Sequence, residues 1–530
     1  MNVLTISELL SLNSEKYRGQ VAFQMRRDKG GYRQFTFQQV NELIIKLQAA
    51  LSKLGAKRGD RVALLSENRP EWAISYLAIT GMGAVVVPLD AMLGQQEISP
   101  LLLDCGAKVI IHSKKFADLP AAPQKIVMEE FRQLPANAPR KPYQVSGDDL
   151  AAIVYTSGTT GFPKGVMLTH RNIMSNVIAV ASLFNLGPKD NFLSVLPLHH
   201  TFETTAGFLG PFYKGCTITY AESLKSYNIL RNMQETGVTV MCGVPLLYQL
   251  FYDGIQREVE EKKLSRVFGL LFSAARFFKY VIGVNLGRKL FSTVHKKFGG
   301  KIRFLVSGGA AIDPELVRNF ELMGFTILQG YGLSESAPVL ACNTLKKNKI
   351  GAVGQIIPGV ELKIAGTDPV GEILAFGPNI MKGYYKRREL TSRVLVNGWL
   401  HTGDVGYLDE EGCLFITGRS KNVIVTASGV NVYPEEIEFS LNKIPAIKES
   451  CVFGEKIKAG VRKGSEEVLA IIVPADASNQ ETIAQAVASH NARVADYKRI
   501  ARFIIRNKDL PKTRLKKIKR FELKKELAKL

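Results

Sequence analysis

The chain has 530 residues, and its hydrophobic content of 46% and charged content of 22% are those of a large globular protein of two or three domains. A net charge of +22 predicts attraction to anions such as nucleotide phosphates or anionic lipid. No nucleic-acid-binding module accompanies that charge, so we expect no nucleic-acid partner. Six scattered cysteines without a CxxC pair exclude a disulfide or zinc framework and favour reduced thiols in a cytosolic protein. The first residues lack a signal-peptide pattern.

Short apolar runs alternate with helix-length amphipathic stretches along the chain. This alternation predicts an α/β protein with parallel-type sheets. The uncharged run Trp72 to Leu89 contains Gly81, Gly83 and Pro88, so it predicts a buried helix followed by a strand, not a membrane span. The predicted strands lie at 61–65, 84–89, 107–112, 150–155, 302–306 and 326–329.

A phosphate-binding loop is predicted immediately after the strand that ends at Tyr155. Successive backbone N–H groups between glycines form a nest for anions, the hydroxyls add donors, and Lys164 adds a positive charge. The loop is not a Walker A loop, since no Ser or Thr follows Lys164 and the spacing between Gly158 and Gly161 is too short. The loop reads Thr156, Ser157, Gly158, Thr159, Thr160, Gly161, Phe162, Pro163, Lys164.

Two later strands also end in motifs that suit a nucleotide. The first is followed by Gly308, Gly309 and Ala310, and a glycine pair there leaves room for a flat ligand. Asp313-Pro314 behind it predicts a capped helix start. The second strand leads into Gln329, Gly330, Tyr331, Gly332, Leu333, Ser334, Glu335 and Ser336, in which an aromatic ring can stack on a purine and a carboxylate can reach a phosphate-bound magnesium ion.

These motifs, in this order, resemble the adenylate-forming enzymes, most closely bacterial long-chain fatty acid–CoA ligases. The resemblance extends over essentially the whole chain, including the segments 399–404, 418–438 and 510–520. It implies a large N-terminal region, residues 1–419, with two parallel-type sheets flanked by helices and a small distorted β-barrel. It also implies a smaller, mobile α+β C-terminal domain, residues 420–530.

The resemblance also implies the chemistry. A carboxylate attacks the α-phosphate of ATP bound with Mg²⁺, giving acyl-AMP and pyrophosphate, and the thiol of CoA then displaces AMP. Thr156 and Glu335 match the metal-binding positions, and Asp404 and Arg419 match the groups that hold the ribose or phosphate. ATP and AMP would be bound by these residues together with Ser157, Gly158, Thr159, Thr160, Lys164, Gly308, Gly309, Ala310, Gln329, Gly330, Tyr331, Gly332 and Ser334.

The acyl and CoA sites follow from the same resemblance. His200, Phe202 and Gly207 match the motif that forms the wall of the acyl pocket, with His200 in the catalytic set beside Lys164 and Glu335. Thr204 stands near the place of a tunnel-gating tryptophan, which is absent, and Glu203 is a carboxylate that the resemblance does not explain.

The C-terminal domain carries the remaining predicted positions. Gly429 matches the glycine along which the pantetheine arm of CoA passes, and Lys421 matches the hinge. The adenylation lysine aligns with Lys517, although the family usually has glycine where this chain has Lys516, so the choice between the two lysines stays open.

Three alternatives to a fatty acid–CoA ligase stay open. The acyl group could pass to acyl carrier protein, or the reaction could stop at acyl-AMP. A protein of another class, a non-catalytic acyl or nucleotide sensor, could retain the same fold.

The segment 262–291 has a wide apolar arc and a narrow basic stripe when it is placed on a helix. That pattern is typical of a helix in a membrane interface, here on the inner, anionic face of the cytoplasmic membrane. A buried helix of the large domain explains the pattern equally well. Lys289, Lys296 and Lys297 favour the membrane slightly.

Overall fold

The computed structural model describes residues 5–119, 124–135, 143–156, 163–426, 431–456, 466–475, 480–512 and 518–527. Contacts within the chain divide it into two compact units. The larger unit comprises Met1–Leu362, Ala375–Leu400 and Glu410–Leu414, and the smaller comprises Lys363–Leu374, His401–Asp409 and Phe415–Leu530. Four strands contain residues of both units: Glu361–Ile364, Gly371–Phe376, Trp399–Leu408 and Cys413–Arg419.

One sheet of the larger unit has seven strands among the described residues, and five consecutive strands, from Leu150–Thr156 to Gln124–Val127, are parallel. The two strands that flank the predicted phosphate loop are adjacent and antiparallel in this sheet. In spatial order the strands are Gly383–Tyr384, Lys164–Thr169, Leu150–Thr156, Val85–Leu89, Arg61–Leu65, Val109–His112 and Gln124–Val127.

The second sheet of the larger unit contains six consecutive strands in parallel pairing, from Ile327–Gly332 to Val21–Arg26. Antiparallel strands continue it at both ends. Its order is Gly354–Ile356, Val339–Cys342, Ile327–Gly332, Phe304–Ser307, Val240–Gly243, Asn191–Ser194, Thr217–Tyr220, Val21–Arg26 and Tyr32–Thr36. The strand Leu395–Val396 pairs separately with Trp399 and Leu400.

Helices flank these sheets, and several begin at the signals that the sequence contains. Asp313 caps the helix Pro314–Leu322 by accepting a hydrogen bond from the Glu315 backbone N–H, as predicted. The helices are Ile6–Lys16, Phe37–Lys53, Pro70–Gly81, Gln95–Cys105, His170–Ser182, Gly210–Tyr213, Ser226–Thr236, Pro245–Glu261, Ser265–Tyr280, Gly287–Leu290, Ser292–Lys297, Pro314–Leu322 and Arg388–Val394, with a π-helix at Glu203–Leu209.

The smaller unit has its own core. It contains a three-stranded sheet of Ile447–Lys456, Glu466–Pro474 and Ile500–Ile505, and a two-stranded pair, Ile424–Val425 with Asn431–Val432. The helices Pro434–Leu441 and Gln480–Asn491 pack apolar side chains against the three-stranded sheet, and a further helix covers Arg520–Leu527.

The α/β class predicted from the sequence is confirmed, and so is the buried helix-then-strand at Trp72 to Leu89. Every residue of Pro70–Gly81 is buried, and so is every residue of Val85–Leu89. All six cysteines are buried thiols, as expected. Within the described ranges, no helix is both long and apolar enough to cross a membrane. The domain boundary at 419/420 stays a prediction.

Candidate active site

The strands on either side of the phosphate loop bring Thr156 and Lys164 together. Thr156 ends one strand, Lys164 begins the next, and the two residues are opposite each other in the antiparallel register. Both side chains are partly exposed. The predicted loop residues Ser157, Gly158, Thr159 and Thr160 lie outside the described residues.

Lys164 and Glu335 are joined by a residue that the sequence did not single out, Tyr384. The Tyr384 hydroxyl donates a hydrogen bond to Glu335 Oε1 at 2.8 Å. The Lys164 ammonium nitrogen lies 5.0 Å from the centroid of the Tyr384 ring, within the range of a cation–π interaction. Burial raises the pKa of Tyr384, and the charge of Glu335 raises it further, so the phenol stays a protonated donor.

Glu335 lies in a short 3-10 turn, Ser334–Ser336, directly after the strand Ile327–Gly332. The turn is held by the Leu333 backbone N–H, which donates to Ser336 Oγ at 3.1 Å. Ser334 Oγ accepts a hydrogen bond from the Thr201 hydroxyl at 3.4 Å. The nucleotide motif is therefore connected to the histidine motif of residues 196–208.

The oxygen atoms of Glu335 and Thr156 suit a magnesium ion, which prefers hard oxygen ligands and takes few of them from the protein when phosphates supply the rest. Among the described residues, no group of three or more His, Cys, Asp or Glu side chains could hold a metal by itself. Glu335 and Thr156 would therefore share the ion with oxygen atoms of the nucleotide phosphates. The ion would neutralise phosphate charge.

The glycine pair after the strand Phe304–Ser307 contacts the acyl motif. A Cβ added at Gly308 would lie 3.0 Å from the Phe202 ring, so a larger residue would require the ring to move by a few tenths of an ångström. Gly309 has a φ of +80°, while Ala310 is exposed behind it. Two predicted groups, one for the nucleotide and one for the acyl chain, therefore lie side by side.

The histidine motif leads into a π-helix, Glu203–Leu209, and such helices are frequent at functional sites. The rings of His199 and His200 lie 4.1 Å apart, and His199 Nε2 is 3.9 Å from Asp90 Oδ1. The carboxyl group of Glu203 occupies the space beside Gly207, where an added Cβ would lie 2.5 Å from it.

Glu203 is fully buried, and neither carboxyl oxygen has a hydrogen-bond partner among the described residues. Burial raises the pKa of Glu203 to about 8, with the nearby Ser194 hydroxyl opposing the change. The carboxyl group is therefore neutral at pH 7 and does not act as a counter-ion.

In the smaller unit, the structure brings Asp404 and Arg419 together. Arg419 Nε lies 2.6 Å from Asp404 Oδ1, and Asp404 is buried while Arg419 is half exposed. The Asp404 backbone N–H donates to Thr402 Oγ1 at 3.1 Å, a local contact within the strand Trp399–Leu408 that carries the carboxylate. Lys421 lies in the turn Ser420–Asn422 that follows.

The predicted adenylation lysine, Lys517, lies outside the described residues, as do Lys516 and Gly429. The residues that flank 513–517 are described. Lys512 and Ile518 form a β-bridge, and the Lys519 backbone N–H donates to the Pro511 carbonyl at 2.7 Å.

Arg520, three residues beyond Lys517, contacts both carboxyl oxygens of Glu438 at 2.6 Å and donates to the Val452 carbonyl at 2.6 Å. Burial opposes the charge of Arg520, but the carboxylate of Glu438 outweighs it and raises the pKa of Arg520. The chain is thus anchored on both sides of the lysine motif.

Residues 10–385 match the family model described as AMP-binding enzyme, and residues 436–517 match the AMP-binding enzyme C-terminal domain. The chain belongs to this adenylate-forming family. It is 31% identical over 455 residues to a feruloyl-CoA synthase of Amycolatopsis, covering 84% of each chain. It is 30% identical over 441 residues to the long-chain-fatty-acid–CoA ligase FadD15 of Mycobacterium bovis, covering 76% of this chain and 72% of that one.

Among solved structures, the fold is similar to that of an o-succinylbenzoate CoA synthetase from Bacillus subtilis in complex with ATP and a magnesium ion. The TM-score is 0.79 at 25% identity, covering 97% of this chain and 99% of that one. The activity is of the AMP-forming acid–CoA ligase class, in which ATP activates an acid as an acyl-adenylate and CoA receives the acyl group. The relatives act on different acids, so this class does not specify the substrate.

Proposed function

We propose that the protein is a long-chain fatty acid–CoA ligase, and that it activates the fatty acid as acyl-AMP before transfer to CoA. The observation that carries the adenylation step is the cluster in which Tyr384 joins Lys164 to Glu335 at the end of the phosphate-loop strands. A cation for phosphate oxygens and a carboxylate for magnesium are held within one cluster. Adenylation needs this arrangement because it consists mainly of positioning two anions and neutralising charge.

The predicted charged residues, together with Thr156 and Gly429, have distinct roles in this proposal. Lys164 binds phosphate, and Thr156 and Glu335 bind the magnesium ion of ATP. Asp404, oriented by Arg419, accepts hydrogen bonds from the ribose hydroxyls. Lys517 completes the adenylation site, and the domain from residue 420 onward rotates about Lys421 so that CoA enters past Gly429, a conformational step of the usual kind.

A fatty acid is favoured over an amino acid by the segment that follows His200. Ala206 is apolar and Glu203 is neutral at pH 7, so these residues provide no negative charge for the ammonium group of an amino acid. The relative FadD15 is named for long-chain fatty acids. The feruloyl-CoA synthase provides the competing candidate, an aromatic acid.

A pyrophosphate-release assay with and without CoA tests this function. Hexadecanoic, octanoic, ferulic and o-succinylbenzoic acids form the panel, and Lys164→Ala serves as the control. We expect the highest kcat/KM with hexadecanoic acid and formation of its CoA thioester. A preference for ferulic acid would overturn the proposal that the substrate is a fatty acid. Transfer only to acyl carrier protein would overturn the proposal that CoA is the acceptor. ATP binding without pyrophosphate release would indicate a sensor.

A separation of the two half-reactions tests the role of Lys517. Lys517→Ala should abolish pyrophosphate release, yet the variant should still convert supplied acyl-AMP to acyl-CoA. Lys516→Ala is the matched control, because it removes an equal charge one residue away. If Lys516→Ala shows this loss and Lys517→Ala does not, the adenylation lysine is Lys516.

We also propose that the protein is cytoplasmic and binds the inner face of the membrane through the segment 262–291. The helix Ser265–Tyr280 has two different faces. Phe268, Leu271 and Phe272 pack against the core of the larger unit, whereas other apolar side chains are exposed, with Leu270 at 71%, Phe277 at 52% and Val281 at 68%. An exposed apolar set of this kind suits a lipid surface.

Basic side chains surround this apolar surface. Lys262, Lys279 and Lys297 pair with carboxylates. Five other basic residues are exposed and make no ion pair within the described part of the chain: Lys263, Arg266, Arg276, Lys289 and Lys296. Each such group near anionic lipid contributes roughly 1 kcal/mol of attraction. The segment therefore combines an apolar surface with the charge that an anionic bilayer attracts.

Liposome co-sedimentation tests the membrane proposal with substitutions at exposed positions only. Val267→Ser/Leu270→Ser/Phe277→Ser should lose binding to anionic vesicles while it stays folded. The matched control, Leu103→Ser/Leu224→Ser/Tyr227→Ser, removes exposed apolar side chains elsewhere and should bind like the wild type. Salt should weaken the electrostatic part, since the Debye length falls from about 10 Å at 0.1 M to about 3 Å at 1 M. Equal binding by both variants would overturn the proposal.

A further inference from the structure

Tyr384 contacts both charged groups that we assign to the nucleotide, although it lies on a different segment of the chain from either. Its hydroxyl donates to Glu335 Oε1 at 2.8 Å, and its ring lies under the Lys164 ammonium group at 5.0 Å. The side chain is almost completely buried, with 5% of its surface exposed. One side chain thus fixes the distance between a carboxylate and a cation.

The backbone holds Tyr384 firmly in this place. Gly383 and Tyr384 pair with Met167 and Val166 of the strand that begins at Lys164. The Tyr384 backbone N–H donates to Thr391 Oγ1 at 2.9 Å.

The neighbours of Tyr384 extend the same connection. The Met381 backbone N–H donates to the Glu335 carbonyl, and the Tyr385 backbone N–H to the Gly165 carbonyl, both at 2.8 Å. The segment 381–385 therefore connects the Glu335 turn to the phosphate-loop strand through the main chain as well as through the Tyr384 side chain.

We propose that Tyr384 is a positioning residue that presets the Glu335 carboxylate for magnesium and the Lys164 ammonium group for phosphate before the nucleotide binds. This inference rests on the proposed roles of Glu335 and Lys164. The hydroxyl occupies Oε1 and so orients the carboxylate, which leaves Oε2 for a cation. Partners that orient a metal-binding carboxylate in this way typically contribute about 10- to 100-fold in metal affinity or activity.

The hydroxyl and the ring have separable tasks. Tyr384→Phe keeps the ring that fills the core and faces Lys164, and it removes only the hydrogen bond to Glu335. Tyr384→Leu removes both the hydrogen bond and the aromatic face. A tyrosine that only fills the core would give a Phe variant with unchanged metal dependence.

The experiment is calorimetric titration of the full-length protein with ATP at increasing magnesium concentrations. For Tyr384→Phe we expect ATP binding without magnesium to equal that of the wild type, while the half-saturating magnesium concentration rises by roughly 10-fold. Tyr384→Leu should also bind ATP more weakly without magnesium. Tyr385→Phe, which removes the neighbouring hydroxyl, should behave like the wild type.

A double-mutant cycle separates positioning from packing. In the Glu335→Gln background the carboxylate that binds magnesium is replaced by an amide. Adding Tyr384→Phe should therefore change the magnesium dependence no further. An unchanged magnesium curve for Tyr384→Phe alone would overturn the inference. Failure of the wild type itself to bind ATP with magnesium would instead overturn the proposed function.

Discussion

Glu335 and Glu203 are two carboxylic acids of the same unit, and their surroundings differ in every respect that controls ionisation. Glu335 is partly exposed and accepts a hydrogen bond from Tyr384. Glu203 is fully buried in a π-helix, and no described residue donates a hydrogen bond to it. Burial without a donor raises the pKa of Glu203 to about 8, so this acid is neutral at pH 7. Only Glu335 is therefore suited to bind a cation.

A third acid, Glu438 of the smaller unit, shows that burial alone does not decide the outcome. Glu438 is also buried, but both of its oxygens lie 2.6 Å from the Arg520 guanidinium group, which opposes the effect of burial, so that the pKa of Glu438 is raised only to about 7. A buried charge is tolerated when a partner compensates it, and removal of that partner is costly. Glu335 is thus a carboxyl group that can reach a cation, Glu203 is a neutral one, and Glu438 is one that is paired with Arg520.

The largest expected effect comes from breaking the buried pair. Glu438→Ala removes the nearer partner of the buried Arg520 and leaves it, among the described residues, only the longer contact with Glu435 at 3.5 Å, which should lower the free energy of unfolding of the smaller unit by about 3–5 kcal/mol. Hydrogen exchange followed by mass spectrometry measures this locally. Glu481→Ala, at an exposed acid, is the control. The double variant Glu438→Leu/Arg520→Met should recover most of the lost stability. If the amide hydrogens of Glu438→Ala exchange like those of the wild type, the ion pair does not stabilise the unit.

The next largest effect is expected at Glu335, the acid that is proposed to bind magnesium. Glu335→Gln should lower the rate of adenylation by about 10²- to 10³-fold, because the variant loses a ligand of the magnesium ion whose charge stabilises the transition state. Conversion of supplied acyl-AMP to acyl-CoA should persist, and the magnesium dependence of pyrophosphate release should shift. Glu389→Gln, at an exposed acid, is the control. Unchanged magnesium curves for Glu335→Gln would mean that the metal binds elsewhere.

The charged residues proposed for the site were easier to identify from the sequence than their contacts, and their roles stay predictions. Lys164, Glu335, Asp404 and Arg419 each stand in a short motif whose chemistry is local. In the structure Lys164 and Glu335 both contact Tyr384, and Arg419 contacts Asp404. Tyr384 was missed because its role depends on the pairing of Gly383–Tyr384 with the Lys164–Thr169 strand. No local pattern around Tyr384 indicates that pairing, which only the assembled sheet provides.

Element boundaries and helix faces were predicted less accurately, for physical reasons. The strand predicted at 302–306 is observed at Phe304–Ser307, since apolar residues before a strand look like the strand itself. The pattern of the segment 262–291 fits either a buried or a membrane-facing helix, and in the structure its central helix has one face packed on the core and one face exposed. Hydrophobicity shows that a side chain is apolar, and only tertiary packing decides which face of a wide apolar arc is covered.

A smaller effect should come from filling the space beside the neutral acid. Gly207→Ala would place a Cβ 2.5 Å from the Glu203 carboxyl group, so we expect a loss of about 1–3 kcal/mol from overpacking. Gly254→Ala is the matched control, because it lies in a helix with open space around it and should stabilise by roughly 0.5–1 kcal/mol. Urea unfolding measures both. Glu203→Ala/Gly207→Ala should regain part of the loss, and a harmless Gly207→Ala would show that the carboxyl group moves away easily.

The smallest effect is a pH dependence that Glu203 alone should produce. Its pKa is about 8 in the folded protein and about 4.3 in an unfolded chain, so the folded state binds one more proton between these values. Stability must then fall as pH rises through this window, and the last part of the fall lies between pH 7 and pH 9. Over that interval the wild type should lose roughly 1 kcal/mol more than Glu203→Gln, which cannot ionise. Urea unfolding of both proteins at pH 7, 8 and 9 measures the difference, with Glu389→Gln as the control. Parallel curves for wild type and Glu203→Gln would mean that the carboxyl group gains a compensating donor when it ionises, and the contrast with Glu335 would disappear.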